Sequence, residues 1–369
     1  MENDEQPATS LPDVETPGTF RERVAAFWSW YQSIGERFFD EIEAGRCGDL
    51  QPETSEIATR LFPGFDWVFG PGPEEKGGHA FTLSGNGDLH RQFLTDYWQF
   101  CAPEIPGWTF YAARQPGTLS DDMALTVDDQ PFSFSEVWVT PEVDKEEEVV
   151  HLTAWHPHLL ELEDKGMTVL YLMLDEILGE YGTDRRLGGI EIGDEKLAGA
   201  MPLTELREYI AELEATHGWQ RRRPTEVGTI YEFKEPAGTF LRGDTVIGAT
   251  SNFDLIHQYF GAAGSLEDPL EKTGAEFVFV AFPSAELPEG KEAAARGEME
   301  DELAEHLGPD QAVVLGGAIG SEHSYIDILC LDGQKTISMI REFLQKHPLG
   351  EGSGIHFFAK GNEGRRIMI

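Results

Sequence analysis

Three histidines lie close together in the stretch HLTAWHPH, and imidazole nitrogens are common ligands of protein-bound zinc. On an extended strand, His156 and His158 would share one face, whereas His151 would lie on the opposite face. Because Pro157 removes a backbone donor, the strand is expected to end here or to lie at a sheet edge. Two histidines on one face are one protein ligand short of a catalytic zinc site, which normally has three.

Carboxylates on the helix that follows could complete such a site. A helix is predicted over Lys165–Gly182, and although it is apolar on more than one side it carries Asp175, Glu176 and Glu180, with Asp184 just beyond. A carboxylate in apolar surroundings needs a donor or takes a raised pKa, and paired carboxylates act as acid and base in glycosidases. The first candidate binding site therefore comprises Trp155, His156, His158, Asp175 and Glu180. The pattern favours the alternative, a strand end with solvated rings and carboxylates that anchor backbone, and leaves metal binding undecided.

A second candidate site surrounds Asp327, which lies within the apolar strand sequence YIDILCLD. A buried carboxylate requires a partner, and we expect Arg242 or His323 to supply it. These three residues form the second candidate site. Because buried carboxylates are more often structural anchors than catalysts, the pattern favours a structural role here too.

Signatures of catalysis and of nucleotide binding are absent or occur in the wrong context. The glycines of LGGAIGSEH lie between two predicted strands, whereas a dinucleotide loop leads into a helix whose N-terminus binds phosphate. The chain contains no G-x-S-x-G, G-x-x-x-x-G-K-[ST] or H-E-x-x-H motif. The basic cluster Arg221 to Arg223 precedes Pro224 and is interpreted as a solvated linker rather than a phosphate cradle. The sequence therefore favours a protein that is not an enzyme, and it predicts no cofactor.

The elements that would position these residues form two predicted α+β domains. Alternating or β-branched runs bounded by Gly, Pro or Asp predict strands, and apolar residues at helical spacing predict helices. The pattern restarts after WQRRRPTEVG, so we predict a disordered tail over 1–18, an N-terminal domain over 19–220 and a C-terminal domain over 228–369. Each domain is predicted to be a mostly antiparallel sheet with helices packed on it. The order of elements in the second domain is ferredoxin-like.

Two motifs are the most distinctive pieces of the chain: LDEILGE at Leu174–Glu180, and GGA-G followed by YID over Gly316–Asp327. With them the chain resembles a family of uncharacterised bacterial proteins, a domain of unknown function. The similarity extends from about Phe27 to the C-terminus. It implies that both halves belong to one architecture, and it implies no activity, cofactor or catalytic residue.

The charge of the chain limits its partners. With 67 acidic and 28 basic residues, the formal net charge is −39. Such a chain repels nucleic acid and anionic lipid surfaces, and none of its apolar runs is long enough to span a membrane, so neither kind of partner is expected. Three cysteines that are far apart predict no disulfide framework and favour the reducing cytoplasm.

These observations favour a non-enzymatic protein-binding or regulatory module, and the acidic surface suits a basic protein partner. One alternative is a metal- or carboxylate-dependent hydrolase with a site near His156, His158 and Asp175. Another is an immunity or stress-related protein that neutralises a basic toxin by charge. The sequence leaves the oligomeric state open.

Overall fold

The computed structural model describes residues 18–118, 120, 123–127, 130–220, 222–347, 349–361 and 366–368. The helices are α1 (Phe20–Glu43), α2 (Gln51–Leu61), α3 (Leu89–Phe100), α4 (Asp164–Leu178), α5 (Glu180–Arg186), α6 (Leu206–His217), α7 (Phe253–Gly261), α8 (Glu292–Leu307) and α9 (Gly333–Leu344). The strands are β1 (Asp66–Pro71), β2 (His79–Ser84), β3 (Trp108–Tyr111), β4 (Ala124–Val127), β5 (Gln130–Ser133), β6 (Trp138–Asp144), β7 (Val149–Trp155), β8 (Leu187–Ile192), β9 (Met201–Pro202), β10 (Thr229–Glu232), β11 (Thr245–Thr250), β12 (Glu276–Pro283), β13 (Ala312–Gly320), β14 (His323–Cys330), β15 (Gly354–Phe357) and β16 (Ile367–Met368). The predicted α+β class with mostly antiparallel sheets is confirmed. The predicted tail lies outside the described residues except for Gly18, and so does Arg221.

The chain divides into two compact units, and both are discontinuous in sequence. Unit 1 comprises the described residues up to Phe65, those of 100–106 and those from Val227 onward, and unit 2 comprises 66–99 and 107–226. The boundary between Glu226 and Val227 therefore falls between the two predicted domains, the first ending at 220 and the second beginning at 228. Helices α1 and α2, however, belong to unit 1 together with the C-terminal part of the chain. The prediction had included them in the N-terminal domain over 19–220.

The start of α1 shows why this helix belongs to unit 1. The backbone N–H groups of Phe20 and Arg21 donate to the carbonyl oxygens of Gly274 (3.0 Å) and Leu331 (2.9 Å). These bonds join residues that are distant in sequence, so helical periodicity could not indicate them. The buried aromatic face of α1 also packs within unit 1, with the side chains Phe20, Phe27, Tyr31, Phe38 and Phe62 in contact.

The described strands of unit 1 form one sheet in the order β10-β11-β13-β14-β12-β15-β16, and every neighbouring pair is antiparallel. Within it, the segment β12-α8-β13-β14-α9-β15 has the βαββαβ order with the central strands arranged β13-β14-β12-β15. The predicted ferredoxin-like order is thereby confirmed. Alternate residues of β12 and β14 form a core together with α8 and α9, which includes Val278, Val280, Ile326, Ile328, Leu303, Ile340 and Phe343.

The glycines of LGGAIG lie in β13, which pairs with β14 in a hairpin, as predicted. The register of the pair shifts between Val314 and Gly316, and Gly316 has a φ of +119°. A Cβ at this position would lie 2.2 Å from the carbonyl oxygen of Ala249. Glycine is therefore required here by the close approach of strand backbones, not by a bound phosphate.

Unit 2 contains, among its described residues, the sheets β1-β2-β3, β4-β5 and β8-β7-β6-β9. Strand β2 is parallel to β3 and β7 is parallel to β8, whereas the other pairs are antiparallel. Alternate residues of β6 and β7 form one apolar core with helices α4 and α6, which includes Val139, Val150, Leu152, Ala154, Leu170, Met173, Leu174, Leu206 and Ile210.

The helix predicted over Lys165–Gly182 is interrupted in the structure. Helix α4 ends before Gly179, which has a φ of +75°, and α5 begins at the next residue. A Cβ on Gly179 would lie 2.8 Å from Cδ of Pro116 and 2.9 Å from the carbonyl oxygen of Arg114. The prediction of one continuous helix was wrong because the segment after β3 packs against this glycine, a contact that helical periodicity does not encode.

Two further sequence-based expectations concern cysteines and membrane spans. The thiols of Cys47, Cys101 and Cys330 form no disulfide bond in the described part of the chain. In the part of the chain that the structure describes, no helix has both the length and the apolar character required to cross a membrane.

Candidate functional site

The histidines of the first candidate site lie in different environments. Strand β7 ends at Trp155, so His156 and His158 fall in the turn that follows. The ring of His156 is buried 5.2 Å from that of Phe132, whereas the side chain of His158 is 63% exposed and its Nδ1 lies 2.8 Å from Glu161. The strand therefore ends before Pro157, as expected, and the rings of His156 and His158 remain neighbours with their centres 5.8 Å apart.

The buried ring of His156 has its own partners. Its Nδ1 accepts a hydrogen bond from the backbone N–H of His158 at 3.2 Å, and its Nε2 lies 3.9 Å from the carboxylate of Glu136. Burial lowers the pKa of His156, partly opposed by Glu136, so the ring is neutral at pH 7. Trp155, also in the first candidate site, pairs with Trp138 in the sheet. The third histidine of the stretch, His151, accepts a hydrogen bond at Nδ1 from the backbone N–H of Gly189 at 2.7 Å.

The carboxylate of Glu180 belongs to a separate network. Glu180 is 1% exposed, and its Oε2 accepts from Oγ of Ser84 (2.7 Å) and from the N–H of Arg114 (3.2 Å). Its Oε1 accepts from the N–H of Gly87 at 3.2 Å. Glu180, at the start of α5, therefore connects the end of β2 and the loop after it to the segment that follows β3. Within the described residues, no group of three or more His, Cys, Asp or Glu side chains could hold a metal ion.

Two further acidic side chains lie near Glu180. Burial and the neighbouring carboxylates of Glu180 and Asp175 raise the pKa of Asp184 to about 7, against a hydrogen bond donated by Gln92. Burial also raises the pKa of Asp175, and the neighbouring carboxylates of Glu180 and Glu176 raise it further. The acidic set of the sequence is thus a cluster of carboxyl groups inside unit 2, apart from the contacts of the two histidines.

Replacing Asp184 with asparagine tests this raised pKa. Between pH 4 and pH 7 the unfolded chain releases a proton that folded Asp184 retains, so the free energy of unfolding falls as pH rises through this window. We expect the variant to match the wild type near pH 4 and to exceed it by about 1–3 kcal/mol at pH 8. Urea unfolding from pH 4 to pH 8 measures the difference. Some slope should persist, because burial also raises the pKa of Glu300 to about 7. If the variant and the wild type show the same dependence of unfolding free energy on pH, Asp184 does not have a raised pKa.

The second candidate site is a buried ion pair in unit 1. Arg242 and Asp327 are both 0% exposed; Nη1 of Arg242 donates to Oδ1 of Asp327, and its Nη2 lies 3.2 Å from Oδ2. The backbone N–H of Arg242 donates to the hydroxyl of Tyr325 at 3.0 Å. Burial alone would lower the pKa of Arg242, but the carboxylate of Asp327 raises it above the usual value, so the guanidinium stays charged. Arg242 rather than His323 is thus the partner of Asp327, and the enclosed pair offers no surface to a ligand.

A cavity in unit 2 has a composition that the sequence did not predict. Its volume is about 250 Å³, and it lies between the segment after β3, the junction of α4 and α5, helix α6 and residues 222–223. Six arginines of the described chain line it: Arg114, Arg185, Arg186, Arg207, Arg222 and Arg223. Glu214 is the one acidic side chain among the described lining residues. In a chain with a net charge of −39, this concentration of positive charge marks a candidate anion site.

Arg186 and Arg207 form rigid parts of the cavity wall. Nε of Arg186 donates to Glu214 at 2.9 Å, and its guanidinium lies 5.5 Å from the centre of the Trp219 ring. Arg207 donates through Nη2 to the carbonyl oxygens of Gly117 (2.8 Å) and Glu176 (3.0 Å). It thereby joins the segment after β3 to the C-terminal turn of α4, where carbonyl groups carry partial negative charge.

Arg114 and Arg223 are also paired. Nη2 of Arg114 lies 2.9 Å from Oδ2 of Asp66, and Nη1 of Arg223 lies 3.6 Å from Oδ1 of Asp96. Burial raises the pKa of Asp96, partly offset by the charge of Arg223 and a hydrogen bond from Thr225. These pairs hold the two ends of the cavity wall in place.

One sequence signal for this site existed but was interpreted differently. Arg222 and Arg223 belong to the basic cluster that was assigned to a solvated linker, and both line the cavity. The other lining arginines are dispersed between Arg114 and Arg207, with no regular spacing to connect them. Only the break at Gly179 and the packing of α6 bring them together.

Comparisons of the chain with protein-family models, with curated proteins and with solved structures find no match. The resemblance to an uncharacterised bacterial family therefore stays a prediction, and the functional argument depends on the cavity itself.

Proposed function

We propose that the chain is a non-enzymatic binding module and that unit 2 holds a small anionic ligand in the arginine cavity. The observation that carries this proposal is the convergence of six arginines on about 250 Å³ in an otherwise strongly acidic chain. Guanidinium groups present planar N–H donors that match carboxylate and phosphate oxygens. Apolar lining from Pro116, Leu178 and Ile210 supports a ligand with an uncharged part as well.

The lining supports binding rather than catalysis. The described lining residues include no histidine, cysteine, serine or aspartate that could act as a nucleophile or base. The carboxylate of Glu214 is hydrogen-bonded to Arg186, and that of Glu180 accepts three hydrogen bonds. We do not propose the hydrolase alternative, because His156 and His158 share no partner with Asp175 in the described contacts.

Replacing Arg185 with glutamine tests the site, because it removes a charge from the cavity while keeping a polar, though shorter, side chain. Isothermal titration with inorganic phosphate and sulfate should show binding to the wild type and at least about tenfold weaker binding to Arg185→Gln. Arg341→Gln, on the exposed face of α9, is the matched control and should bind as the wild type does. Absence of any anion binding to the wild type at millimolar concentration would overturn the proposal.

A second candidate function is binding of a basic protein, supported by the net charge of −39. We place this interaction in the cytoplasm, which suits three cysteines that form no disulfide bond. An affinity pulldown at moderate salt that recovers only background would count against this candidate, and it would leave the anion site unaffected.

A further inference from the structure

We infer that the arginine cavity selects a dianion of the phosphate-monoester class and that Arg185 and Arg222 are the two guanidinium groups that this ligand neutralises. The inference rests on the proposed anion-binding function and specifies its ligand. It follows from which lining charges are already compensated.

Most of the positive charge in the cavity wall has a partner within unit 2. Three lining arginines are paired with carboxylates: Arg114 with Asp66 at 2.9 Å, Arg186 with Glu214 at 2.9 Å, and Arg223 with Asp96 at 3.6 Å. Arg207 is bound to backbone carbonyl oxygens at the end of α4. Two arginines of the lining remain to be accounted for.

Arg185 lacks a hydrogen-bond partner at a buried atom. Its Nε is buried and has no acceptor among the described residues. Burial lowers the pKa of Arg185, opposed by the nearby charge of Asp184, whose carboxylate is itself hydrogen-bonded to Gln92. A buried guanidinium N–H without an acceptor costs free energy, and a ligand oxygen in the cavity would remove that cost.

Arg222 supplies the second charge from the exposed side of the cavity. Its side chain is exposed, it lines the cavity, and it makes no hydrogen bond or ion pair with the residues that the structure describes. A ligand that contacts both Arg185 and Arg222 would carry two negative charges to balance them. A phosphate monoester at pH 7 carries close to two, and its oxygens accept from two guanidinium groups at once.

The remainder of the lining suits the ester group. Pro116, Leu178, Ile210 and the ring of Tyr181 give the cavity apolar surface beside its arginines. A volume of about 250 Å³ accommodates a small ligand rather than a nucleotide-sized one. The cavity thus combines two guanidinium groups that lack a bound carboxylate with apolar walls, as a small phosphate monoester requires.

Three probes of similar size test the inference by isothermal titration at pH 7.5: phenyl phosphate, methyl phenyl phosphate and succinate. Phenyl phosphate is a dianion with its charged oxygens on one phosphorus, its methyl ester is a monoanion, and succinate is a dianion with two separated carboxylates. We therefore expect phenyl phosphate to bind at least about tenfold more tightly than either of the others. Arg222→Gln should reduce the preference for phenyl phosphate over its methyl ester to about threefold or less. Arg341→Gln is again the control and should keep the full preference.

The outcomes separate this inference from the proposed function. If none of the probes and no inorganic anion binds, the anion site itself is refuted. If the two phosphate esters bind equally, the cavity binds anions but the dianion assignment is overturned, and if succinate binds more tightly than phenyl phosphate, the phosphate-monoester assignment is overturned. Thermal unfolding of each variant, compared with the wild type, shows whether a loss of binding comes from loss of the fold.

Discussion

Replacing Arg242 with methionine is expected to lower the free energy of unfolding by about 3–5 kcal/mol, the largest effect predicted for this protein. The substitution leaves the carboxylate of Asp327, which is 0% exposed, without its charged partner. The ring faces of Phe279 and Tyr325, within 5.2 and 4.9 Å of the guanidinium, also lose their contact with the cation. Urea unfolding monitored by tryptophan fluorescence measures the loss.

A double variant distinguishes the lost ion pair from lost packing. Arg242→Met combined with Asp327→Leu removes both charges, and apolar replacement of a buried pair is often close to neutral. We therefore expect the double variant to be more stable than Arg242→Met alone. Arg341→Met, on the exposed face of α9, should change stability by less than about 0.5 kcal/mol. If the free energy of unfolding of Arg242→Met lies within about 1 kcal/mol of the wild-type value, the charge of Arg242 is not needed to stabilise buried Asp327.

Replacing Glu180 with alanine is expected to cost about 3 kcal/mol and to weaken anion binding in unit 2. The carboxylate accepts hydrogen bonds from the hydroxyl of Ser84 and from the N–H groups of Gly87 and Arg114, and alanine leaves these donors without their acceptor. Because the carbonyl oxygen of Arg114 also accepts from the N–H of Glu180 at 3.0 Å, the side chain holds one wall of the arginine cavity. Urea unfolding and anion titration measure the two effects.

Two further variants test whether the effect of Glu180→Ala comes from the loss of the buried acceptor. Glu180→Gln keeps an acceptor oxygen and should lose less stability than Glu180→Ala. Glu212→Ala, on the exposed surface of α6, makes the same change away from the network and should be nearly neutral. Equal effects of the alanine substitutions at Glu180 and Glu212 would show that the buried carboxylate does not anchor the cavity wall.

Much of the fold could be predicted because its determinants are local in sequence. Periodic apolar residues and breakers such as Gly45 located α1, and alternation located strands such as β7, whose Val150, Leu152 and Ala154 are buried. The order of elements from β12 to β15 was enough to predict the ferredoxin-like arrangement, because few topologies satisfy short antiparallel connections. The buried carboxylate Asp327 was likewise indicated by its apolar neighbours, although two partners were considered for it.

The sequence by itself determined the α+β class, most helices and strands, the hairpin of β13 and β14, and the structural need for a partner at Asp327. The tertiary structure alone decided that α1 packs in unit 1, that His156 is buried while its neighbour His158 is exposed, and that dispersed arginines line one cavity. The physical reason is that propensity and periodicity act over a few residues. Convergence, by contrast, depends on backbone contacts between distant segments, such as the packing of Pro116 against Gly179.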